Sequence, residues 1–467
     1  MSRILILSEP RVEGRGATPL ERSVKRQTDG RSTFDPANPD IVATALIDID
    51  TALRPDAIAL LHEALEMHPM VDALIGDAIT GGTRQLRPAW SPTRLASTAH
   101  ELDLVVVRER IDDPSLAGRI AALTAVDDLA VGHLPAALVE RDAPLQVDAK
   151  AEAALAQACI ARRSADLPDS VTFLIPSAGT PDPDGHPMVL GAIDAARRAR
   201  VDGGPDDEIV VVVGDEFVGN PDSLSASDVR IVHRGFTWNF AAAMNLGLIE
   251  ASNGTVVLLN DDIKAPEPGW LTPMLEHLGD PDVGLVGASL SYPDGTLQHH
   301  GMVIDDAFPL HAYVGMRPGD LPQPAQAAHE VAAVTAACAV GRRSQLLEIG
   351  GFWEALPVSF NDTDLCLKLQ RSGRRVILEP RARLIHFESA SRLPSIEPWE
   401  WDTFIGRWGC VDDPWYHPGH HRPDNPEDRR RNADHLPALD PLQAWPLRTS
   451  TVRPRPHRAR MRPEALS

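Results

Sequence analysis

Short runs of branched apolar residues alternate with helical patterns between residues 171 and 262, and this alternation constrains the fold most strongly. The predicted strands are VTFLIP, EIVVVVGD, VRIVHR and TVVLLNDD. Strands that are apolar on both faces and are separated by helices indicate a parallel sheet that is covered on both sides. The sequence therefore predicts an α/β fold, in which ligands bind at the carboxyl ends of the strands.

Composition divides the 467-residue chain into four segments. We predict an N-terminal strand and loop, partly disordered, at 1–40, and an incomplete α/β module with a linker helix at 41–165. The main α/β domain is predicted at 166–395, and a partly disordered C-terminal extension at 396–467. Because Pro, His, Asp and Arg dominate the extension, we expect it to be solvated, with weak attachment to an acidic partner or membrane surface as the alternative.

The charge and the cysteines exclude several classes of protein. A formal net charge of −21 argues against nucleic acid or an anionic membrane as the main partner, because both require a basic face. The four cysteines are far apart, so they indicate neither a disulfide framework nor a zinc site. We find no apolar run that is long enough for a signal peptide core or a membrane span, and therefore expect a cytoplasmic protein.

One acidic cluster directly follows a predicted strand. Asn260, Asp261 and Asp262 end the run TVVLLNDD, which places their side chains at the ligand edge of the sheet rather than in the core. Carboxylate and amide oxygens suit a hard divalent cation that keeps open positions for phosphate. A turn or a helix cap would use the same residue types.

A second acidic cluster opens a predicted helix in FNDTDLCLKLQRSG. Asp362 lies between the aromatic Phe360 and the helix start, where a carboxylate could meet a sugar hydroxyl, whereas Asn361 is more simply explained as a cap. His386 follows the predicted strand RVILEP, and Glu388 comes two residues later. A lone histidine is usually structural, but one near two acidic clusters fits a metal ligand.

An ordered set of motifs resembles family 2 glycosyltransferases of the GT-A fold. The set comprises VTFLIPSAG, EIVVVVGDE, FTWNFAAAMNLGLIEASNGTVVLLNDD, VGLVGASLSYPDGTLQHHG, VTAACAVGRRSQLLEIGGF, FNDTDLCLKLQRSG and LIHFESASR. It covers residues 170–395 and is similar to bacterial members that build rhamnose-containing and other cell-surface polysaccharides. The resemblance implies a Rossmann-like nucleotide-diphospho-sugar transferase domain with a mixed, mainly parallel sheet.

The resemblance also implies a reaction and its partners. It implies an inverting transfer of a sugar from a nucleotide-diphosphate donor to a glycan or lipid-linked acceptor, with divalent Mg or Mn as cofactor. Such an enzyme would act in the cytoplasm, with peripheral association at the inner face of the cell membrane as one arrangement. Asp362 corresponds to the family's catalytic base, Asp262 to its direct metal ligand and His386 to the histidine that helps to hold metal or diphosphate.

Donor-binding positions follow from the same resemblance. They are Pro176, Ser177, Asp215, Asn260, Asp261, Gln298 and His299. The chain departs from the family's pattern in two places, since Asp215 is displaced by one residue in GDE and Asn260 stands where an Asp is usual. For Gln298 and His299 a structural role is an equal alternative, and Trp353 either stacks on an acceptor sugar or is simply packed.

The first module resembles a shortened copy of the second. TALIDIDTALRPDAIALLHEALEMHPMVDALIGD echoes the segment around Asp262, and AVGHLPAALVERDAP parallels RVILEPRARLIHFES. The copy lacks a counterpart of FNDTDLC and of the histidine, and it has almost no room before Ile41 for a nucleotide pocket. We therefore expect residues 41–145 to be non-catalytic, with a role in packing, acceptor positioning or assembly, and Asp48 and Asp50 to be remnants on a loop.

Two other functional classes compete with an active transferase. A non-catalytic partner that binds nucleotide sugar or glycan for another transferase fits the imperfect metal motif. However, Asp362, Asp262 and His386 are retained together, and binding alone needs no base. A dinucleotide-dependent dehydrogenase is disfavoured because no GxGxxG follows the first strand of the main domain.

Overall fold

The protein is described by a computed structural model. It describes residues 2–8, 17–27, 30–95, 99–109, 111–124, 129–160, 167–182, 184–201, 204, 206–305, 308–321, 323–387, 396–411, 413–417 and 448–449.

Two α/β units follow one another along the chain. The first contains β1 (Arg3–Leu7), α1 (Pro19–Val24), β2 (Ser32–Thr33), β3 (Ile41–Ile47), β4 (Ala52–Leu53), α2 (Ala57–Met67), β5 (Ala73–Thr80), β6 (Thr83–Gln85), β7 (Leu104–Val107), α3 (Leu116–Thr124), β8 (Val131–Arg141) and α4 (Ala149–Ile160).

The second unit is longer. It contains β9 (Thr172–Ser177), α5 (Val189–Arg197), β10 (Glu208–Val213), β11 (Val229–His233), α6 (Phe240–Glu250), β12 (Thr255–Leu259), β13 (Ile263–Lys264), α7 (Thr272–Leu275), β14 (Val283–Ser291), β15 (Leu297–His299), β16 (Met302–Asp305), β17 (Phe308–His311), β18 (His329–Glu330), β19 (Cys338–Arg342), α8 (Arg343–Glu348), α9 (Asn361–Arg371) and β20 (Arg375–His386). After it come α10 (Pro398–Trp408) and β21 (Arg448–Thr449).

The sheet of the second unit is mixed, with a parallel part at one side. Its order is β11-β10-β9-β12-β19-β14-β20-β13, and β9 to β12 run parallel, as predicted. Alternate side chains point to opposite faces, so that Phe173 and Ile175 pack with α5 and α7, whereas Leu174 packs with α6, α8 and α9. Burial on both faces explains why these strands have no polar alternation.

The sheet of the first unit repeats this topology. Its central order is β1-β3-β7-β5-β8, and the parallel and antiparallel pairings match those of β9-β12-β19-β14-β20. Even the short strands correspond, since β4 pairs with β8 as β13 pairs with β20, and β6 pairs with β5 as β15 pairs with β14. The internal repeat expected from the sequence is therefore present in the strand order.

The repeat begins earlier than Ile41. The sequence predicts one N-terminal strand and almost no room for a nucleotide pocket in the first 40 residues; β1 is that strand, and it pairs in parallel with both β2 and β3. Ile4 and Ile6 are buried against α1 and α2. The short strands β1 and β2 are stable here because each pairs with a longer neighbour. The composition of this Arg- and Gly-rich segment does not reveal that pairing.

A buried polar network joins the two units. The carboxylate of Glu330 in β18 accepts hydrogen bonds from Ser91 and, at 2.7 Å, from Thr93, both of which belong to the first unit. Arg375 of β20 forms an ion pair with the same carboxylate at 2.8 Å. Because Glu330 is completely buried, these donors replace the water that its charge would otherwise require.

The first part of the C-terminal extension is packed rather than solvated. Phe404 and Trp408 of α10 are buried against Leu356, Phe360 and Leu367 of the second unit. Most of the Pro- and His-rich run that follows lies outside the described residues. No helix within the described ranges is both long enough and apolar enough to cross a lipid bilayer.

Candidate active site

Parallel pairing brings the predicted donor residues to one edge of the second sheet. β9 and β12 are neighbours, so Ser177 at the end of one strand lies beside the acidic cluster that follows the other. The Ser177 hydroxyl donates a hydrogen bond to Asp261 Oδ2 at 2.7 Å and accepts one from the Gly179 amide at 3.0 Å. Gly179 has φ +69°, and a side chain there would collide with the Val218 backbone at 2.8 Å.

Asp261 is turned towards the protein rather than towards the open edge. Burial and the neighbouring charge of Asp262 raise the pKa of Asp261 to about 6, although the hydrogen bond from Ser177 opposes the shift. The Asp261 carboxylate is therefore held by the strand end, and it orders the loop that follows β9. Pro176 is buried in the same strand and pairs with Val212.

Strand pairing also brings His386 to the acidic cluster. β13 runs antiparallel to β20, and Ile263 pairs directly with His386. His386 Nε2 lies 3.0 Å from Asp262 Oδ1, and both side chains are largely buried. The amide nitrogen of Asn260 lies 3.3 Å from the same ring nitrogen. Residues 126 positions apart are thus placed together by backbone geometry.

Several hydrogen-bond acceptor atoms lie close together around His386. His386 Nδ1 lies 2.6 Å from Gln298 Oε1, an acceptor, so Nδ1 carries the proton and Nε2 of a neutral ring has only a lone pair. Accordingly, Asp262 Oδ1 accepts no hydrogen bond from the described residues despite its short distance to Nε2, and neither does the buried Asn260 Oδ1. The Asn260 amide nitrogen is the donor near Nε2, and the two oxygens without a hydrogen bond, beside a ring nitrogen, fit a divalent cation.

Asp215 is exposed at the end of β10, beside a buried arginine. Arg234 follows β11, its backbone amide donates to Val213 O at 2.8 Å, and its guanidinium pairs with Glu216. Burial lowers the pKa of Arg234, and the charge of Asp215 opposes the shift. Asp215 therefore lies at the predicted ligand edge, but the carboxylate that meets Arg234 directly belongs to its neighbour.

The candidate base begins helix α9. Phe360 precedes the helix in the left-handed region, at φ +63°, and turns the chain so that Asp362 falls in the first turn. The Thr363 amide donates to Asp362 Oδ1 at 2.7 Å. Burial raises the pKa of Asp362, while His311 and hydrogen bonds from Thr363, Thr335 and Ala336 lower it. A carboxylate whose pKa is raised is better suited to accept a proton near neutral pH.

Strand β15 links the acidic cluster with His386 to the candidate base Asp362. Gln298 contacts His386, as described above, and the next residue, His299, accepts a hydrogen bond from the Thr335 amide at 3.3 Å. Thr335 in turn bonds the Asp362 carboxylate. The completely buried His299 is kept neutral, because burial and neighbouring histidines lower its pKa well below the usual value.

Three features that support the base escaped sequence reasoning. His311 and Thr335 lie in short segments without an obvious motif, although His311 follows the QHH run by only eleven residues. The third is Glu400 of α10, which was assigned to the extension. Glu400 Oε1 accepts hydrogen bonds from the amides of Val358 and Ser359, at 3.0 and 2.8 Å, just before the base.

The remaining candidates are less directly placed. Trp353 is half-buried, and the guanidinium of Arg407 lies 4.2 Å above its ring, so the extension already covers one face. Asp48 forms a tight turn by accepting the Asp50 amide at 2.8 Å. Glu388 lies outside the described residues.

A separate cluster of His and Asp side chains lies in the first unit. Asp77, His133 and the extension's His417 bring potential ligand atoms within 4.8 Å of one another. However, Asp77 also accepts hydrogen bonds from the Arg84 guanidinium at 2.9 Å and from the Arg87 amide at 3.2 Å. The Asp77 oxygens thus already have hydrogen-bond donors, one of which is the charged Arg84 guanidinium. The cluster is a buried ion-pair network that fits a metal poorly.

Known proteins are similar to this chain in its second unit and, in one case, along most of its length. Residues 186–350 match the family model Glycosyl transferase family 2. The uncharacterized protein y4gI of Sinorhizobium fredii is 30% identical over 445 residues, which cover 80% of this chain and 48% of that protein. The O-antigen biosynthesis protein RfbC of Myxococcus xanthus is 33% identical over 41% of this chain and 16% of that protein.

A mycobacterial relative is similar over a shorter stretch. The pre-mycofactocin glycosyltransferase of Mycobacterium tuberculosis is 31% identical over 38% of this chain and 34% of that protein. The chain thus spans less than half the length of each of these curated relatives. The solved structure of GalNAc-T7 with UDP, GalNAc and Mn²⁺ aligns at a TM-score of 0.41 with 12% identity, covering 52% of this chain and 49% of that one.

The assignment depends on the family model and on the topology of the second sheet. The matched residues span from the loop before α5 to the end of α8, and they contain the acidic cluster at the end of β12. The mixed α/β sheet around them has the GT-A arrangement that the sequence predicted. Residues 186–350 are therefore similar to glycosyltransferase family 2, whose model they match.

Proposed function

We propose that the second unit, residues 166–395, is an inverting glycosyltransferase that moves a sugar from a nucleotide-diphosphate donor to a glycan or lipid-linked acceptor. The observation that carries the proposal is the group of acceptor atoms formed by Asp262, His386 and Asn260, connected through β15 to the candidate base Asp362. The family match supports the same reaction class.

Asp362 is the proposed general base. Its carboxylate takes the proton of the acceptor hydroxyl as that oxygen attacks the anomeric carbon. The bond to the nucleotide diphosphate breaks on the opposite face, so the configuration of the anomeric carbon is inverted. A positioned base typically contributes about 10²- to 10⁴-fold to the rate, and the raised pKa of Asp362 favours proton uptake.

Asp262 and His386, with Asn260 beside them, would hold a divalent Mg or Mn ion. When bound, the ion neutralises charge on the departing diphosphate and acts as a Lewis acid. Carboxylate and amide oxygens are the ligands that such hard cations prefer, and His386 would add one nitrogen ligand to them. In this proposal Gln298 keeps His386 in the tautomer whose Nε2 is available.

The donor nucleotide is proposed to lie along the carboxyl ends of β9, β10 and β12. Ser177 and Asp261 order the loop beyond β9, and the exposed Asp215 is available to a nucleoside hydroxyl or base. The similar RfbC protein of M. xanthus is described as an O-antigen biosynthesis protein. That description supports a role for this chain in cell-surface polysaccharide synthesis, carried out in the cytoplasm or at the inner membrane face.

The first unit is proposed to be non-catalytic. In the second unit the residue before β13 is the metal candidate Asp262, and β13 pairs with His386. The corresponding places in the first unit are taken by Thr51 and Glu140, because Ala52 of β4 pairs with Glu140. Thr51 is completely buried, and a hydroxyl is a poor substitute for a carboxylate ligand. Packing or acceptor positioning is the proposed role.

The test is calorimetric binding of nucleotide diphosphates and nucleotide sugars, with manganese or magnesium and then with chelator. We expect one nucleotide to bind in a metal-dependent way, and Asp262→Ala to abolish that dependence. Asp48→Ala, which changes the related loop of the first unit, is the matched control and should bind as the wild type does. If the wild type binds no nucleotide with either metal, the active-transferase proposal is wrong, and a non-catalytic glycan-binding role is favoured instead.

A further inference from the structure

Two large aromatic side chains are exposed in the short loop between β11 and α6. Phe236 and Trp238 are each 40% exposed. Val218, in the loop after the neighbouring strand β10, is 57% exposed. Both loops follow the carboxyl ends of parallel strands, which is the edge where ligands bind in sheets of this kind. An exposed apolar surface therefore lies on the ligand edge of the second sheet.

A buried arginine lies beneath the two rings. The side chain of Arg234 is completely buried. Its guanidinium carbon lies 5.5 Å from the centre of the Phe236 ring and 5.1 Å from the centre of the Trp238 ring. Both distances are within the range of a cation–π contact. One side of each ring is thus covered by the protein, and the exposed part of each ring is the part that Arg234 does not cover.

The arginine is fixed to the end of β10. Its backbone amide donates to Val213 O at 2.8 Å, and its guanidinium pairs with Glu216 and donates to the Phe236 carbonyl oxygen. Gly214 leaves room for the guanidinium, because a Cβ atom at this position would collide with Arg234 Nη2. The start of the aromatic loop is therefore held by backbone and side-chain contacts together.

The other end of the loop is fixed by helix α6. Asn239 caps this helix by accepting the Ala242 amide at 2.9 Å, and its Nδ2 atom donates to Glu354 O at 2.9 Å. Trp238 directly precedes the cap. Two exposed rings on a loop that is held at both ends lose little conformational freedom when a ligand binds, and such preorganisation favours affinity.

The distance between the rings and the proposed cation site indicates what the rings bind. The strand order is β11-β10-β9-β12, and Asp262 follows β12. Neighbouring strands are about 4.8 Å apart, so the loop after β11 lies about 14 Å along the sheet edge from the end of β12. A nucleoside diphosphate with its phosphates at the cation can extend over this distance. Its base is then the group that meets the rings, and bases stack readily on Trp and Phe.

We propose that Trp238 and Phe236, backed by Arg234, form the surface on which the base of the donor nucleotide stacks. The inference rests on the proposed transferase function and deepens it, because it assigns the residues that distinguish a nucleoside diphosphate from a diphosphate without a base. Stacking uses the π-face that every base has, so selection among bases is left to polar contacts. The exposed Asp215 at the end of β10 is available for such a contact.

The first test is calorimetry with UDP, GDP and dTDP in the presence of Mn²⁺, and with pyrophosphate and Mn²⁺ as the probe that lacks a base. In Trp238→Leu, we expect the affinity for the nucleotide that the wild type prefers to fall by about fivefold to a hundredfold, because one stacking contact with the base is lost. The affinity for pyrophosphate should stay within about twofold of the wild type. Trp238→Phe, which keeps an aromatic ring, should retain most of the nucleotide affinity.

Trp399→Leu is the matched control, because Trp399 is 49% exposed on α10 and lies outside the aromatic loop. It should bind nucleotide and pyrophosphate as the wild type does. Unchanged nucleotide affinity in both Trp238→Leu and Phe236→Leu would overturn the proposal, and reduced self-association of these variants in sedimentation would then assign the rings to a contact with a second copy. Equal losses of nucleotide and pyrophosphate affinity would indicate damage to the whole site and would also contradict the proposal.

The second test is NMR of full-length protein labelled with ¹⁵N-tryptophan, in which the indole N–H of Trp238 is assigned by Trp238→Phe. Mg²⁺ replaces Mn²⁺ here, because a paramagnetic ion broadens the resonances. A stacked base should shift the Trp238 resonance through its ring current, whereas pyrophosphate with Mg²⁺ should leave the resonance in place. A Trp238 resonance that responds equally to the nucleotide and to pyrophosphate, or to neither, would overturn the proposal.

The transferase proposal and the stacking proposal fail in different ways. Wild-type protein that binds neither pyrophosphate nor any nucleoside diphosphate in the presence of metal would contradict the transferase proposal and, with it, the stacking proposal. Metal-dependent nucleotide binding that is unaffected by Trp238→Leu and Phe236→Leu would agree with the transferase proposal and contradict the stacking alone.

Discussion

Carboxylates follow the buried strand β12 because the strand ends at the ligand edge of the sheet. Asp261 is bonded back to Ser177, whereas Asp262 is turned towards His386. Two adjacent acids therefore have different tasks, one in ordering the loop and one at the proposed cation site. Backbone pairing of β13 with β20, rather than attraction between side chains, sets the distance between Asp262 and His386.

The proposed base can be tested by a single isosteric change. Asp362→Asn keeps the size and the hydrogen bond from the Thr363 amide but removes the proton acceptor. We expect kcat to fall by about 10²- to 10⁴-fold, while the calorimetric affinity for the nucleotide stays within about twofold of the wild type. A variant that transfers sugar at the normal rate would show that another group accepts the proton.

Acid stability provides a residue-scale prediction at Glu379, which is almost completely buried. Hydrogen bonds from His277 and Arg381 outweigh burial and lower the pKa of Glu379 to about 2. Because the folded pKa is below the unfolded value, the stabilisation is present above about pH 4.5 and is lost as the pH falls towards 2. Since Arg381 is half exposed, we expect these contacts of Glu379 to contribute about 2 kcal/mol to the free energy of unfolding at neutral pH.

Urea unfolding of Glu379→Gln measures this contribution. The variant should have a lower midpoint than the wild type at pH 7, and the difference should shrink below pH 4.5 and approach zero as the pH falls towards 2. The exposed Glu267→Gln variant serves as the control and should follow the wild type at both pH values. A midpoint difference that is independent of pH would mean that the Glu379 contacts act through packing and not through charge.

The meeting of Asp262 and His386 was predictable from the sequence because each residue follows an apolar strand. Asp262 and His386 were found in this way, because strand ends in a parallel sheet converge. His311 and Thr335 were not, since their positions depend on the pairing of short strands and on a loop. Contacts of this kind are set by tertiary register, which a pattern of hydrophobic residues does not encode.

At the scale of elements, helix α10 braces the segment that carries the base. Phe360 stacks on Phe404 of α10 with ring centroids 5.1 Å apart, and Glu400 caps two amides just before the base. Helix α10 thus packs against Phe360 and stabilises its left-handed backbone conformation. The extension is therefore structurally part of the second unit up to at least the end of this helix.

Removing the Glu400 cap tests whether this brace matters for the reaction. Glu400→Ala leaves two backbone amides without their acceptor, which should lower stability by about 1–3 kcal/mol. Because the loop before Asp362 loosens, kcat should fall while nucleotide affinity is retained. The control is Asp402→Ala, an exposed acid on the same helix. Equal losses of kcat and nucleotide affinity in Glu400→Ala would indicate general unfolding instead of local support.

The main strands of the second unit were predictable because they are apolar on both faces, as in β10 and β12. Strand β1 is the predicted N-terminal strand, whereas β2 was missed because it has only two residues and is paired to β1. Likewise, the Trp and Phe residues of α10 carry a helical apolar face, but the surrounding Pro and His content obscured it. Short elements are stabilised by neighbours, so composition alone predicts them poorly.

At the scale of the whole molecule, residues 413–417 connect both units. Asp413 accepts the Ile304 amide of the second unit at 2.9 Å, and Pro414 O accepts the Ala89 amide of the first unit at 2.9 Å. His417 bonds Asp77 of the first sheet at 2.9 Å. The same extension that packs against the segment with the candidate base is thereby anchored on the first unit, which supports the positioning role proposed for that unit.

This anchoring predicts a selective effect of His417→Ala. The change removes one donor from the buried carboxylate of Asp77, whose pKa is held well below its usual value by His133 and His417. We expect a loss of about 1–3 kcal/mol in stability and faster hydrogen exchange at residues 413–417 and at the Ala89 amide, because the segment detaches from the first sheet. Amides in β9 and β12 should exchange at wild-type rates, since their partners are unchanged.

The exposed His233→Ala variant separates this effect from the general loss of a histidine, and it should exchange as the wild type does. If the anchor also supports the base, His417→Ala should lower kcat less than Glu400→Ala, because α10 keeps its own contacts with the base loop. Unchanged hydrogen exchange at residues 413–417 in His417→Ala would mean that the Asp413 and Pro414 contacts are enough to hold the segment. The first unit would then contribute through packing rather than through the buried ion-pair network.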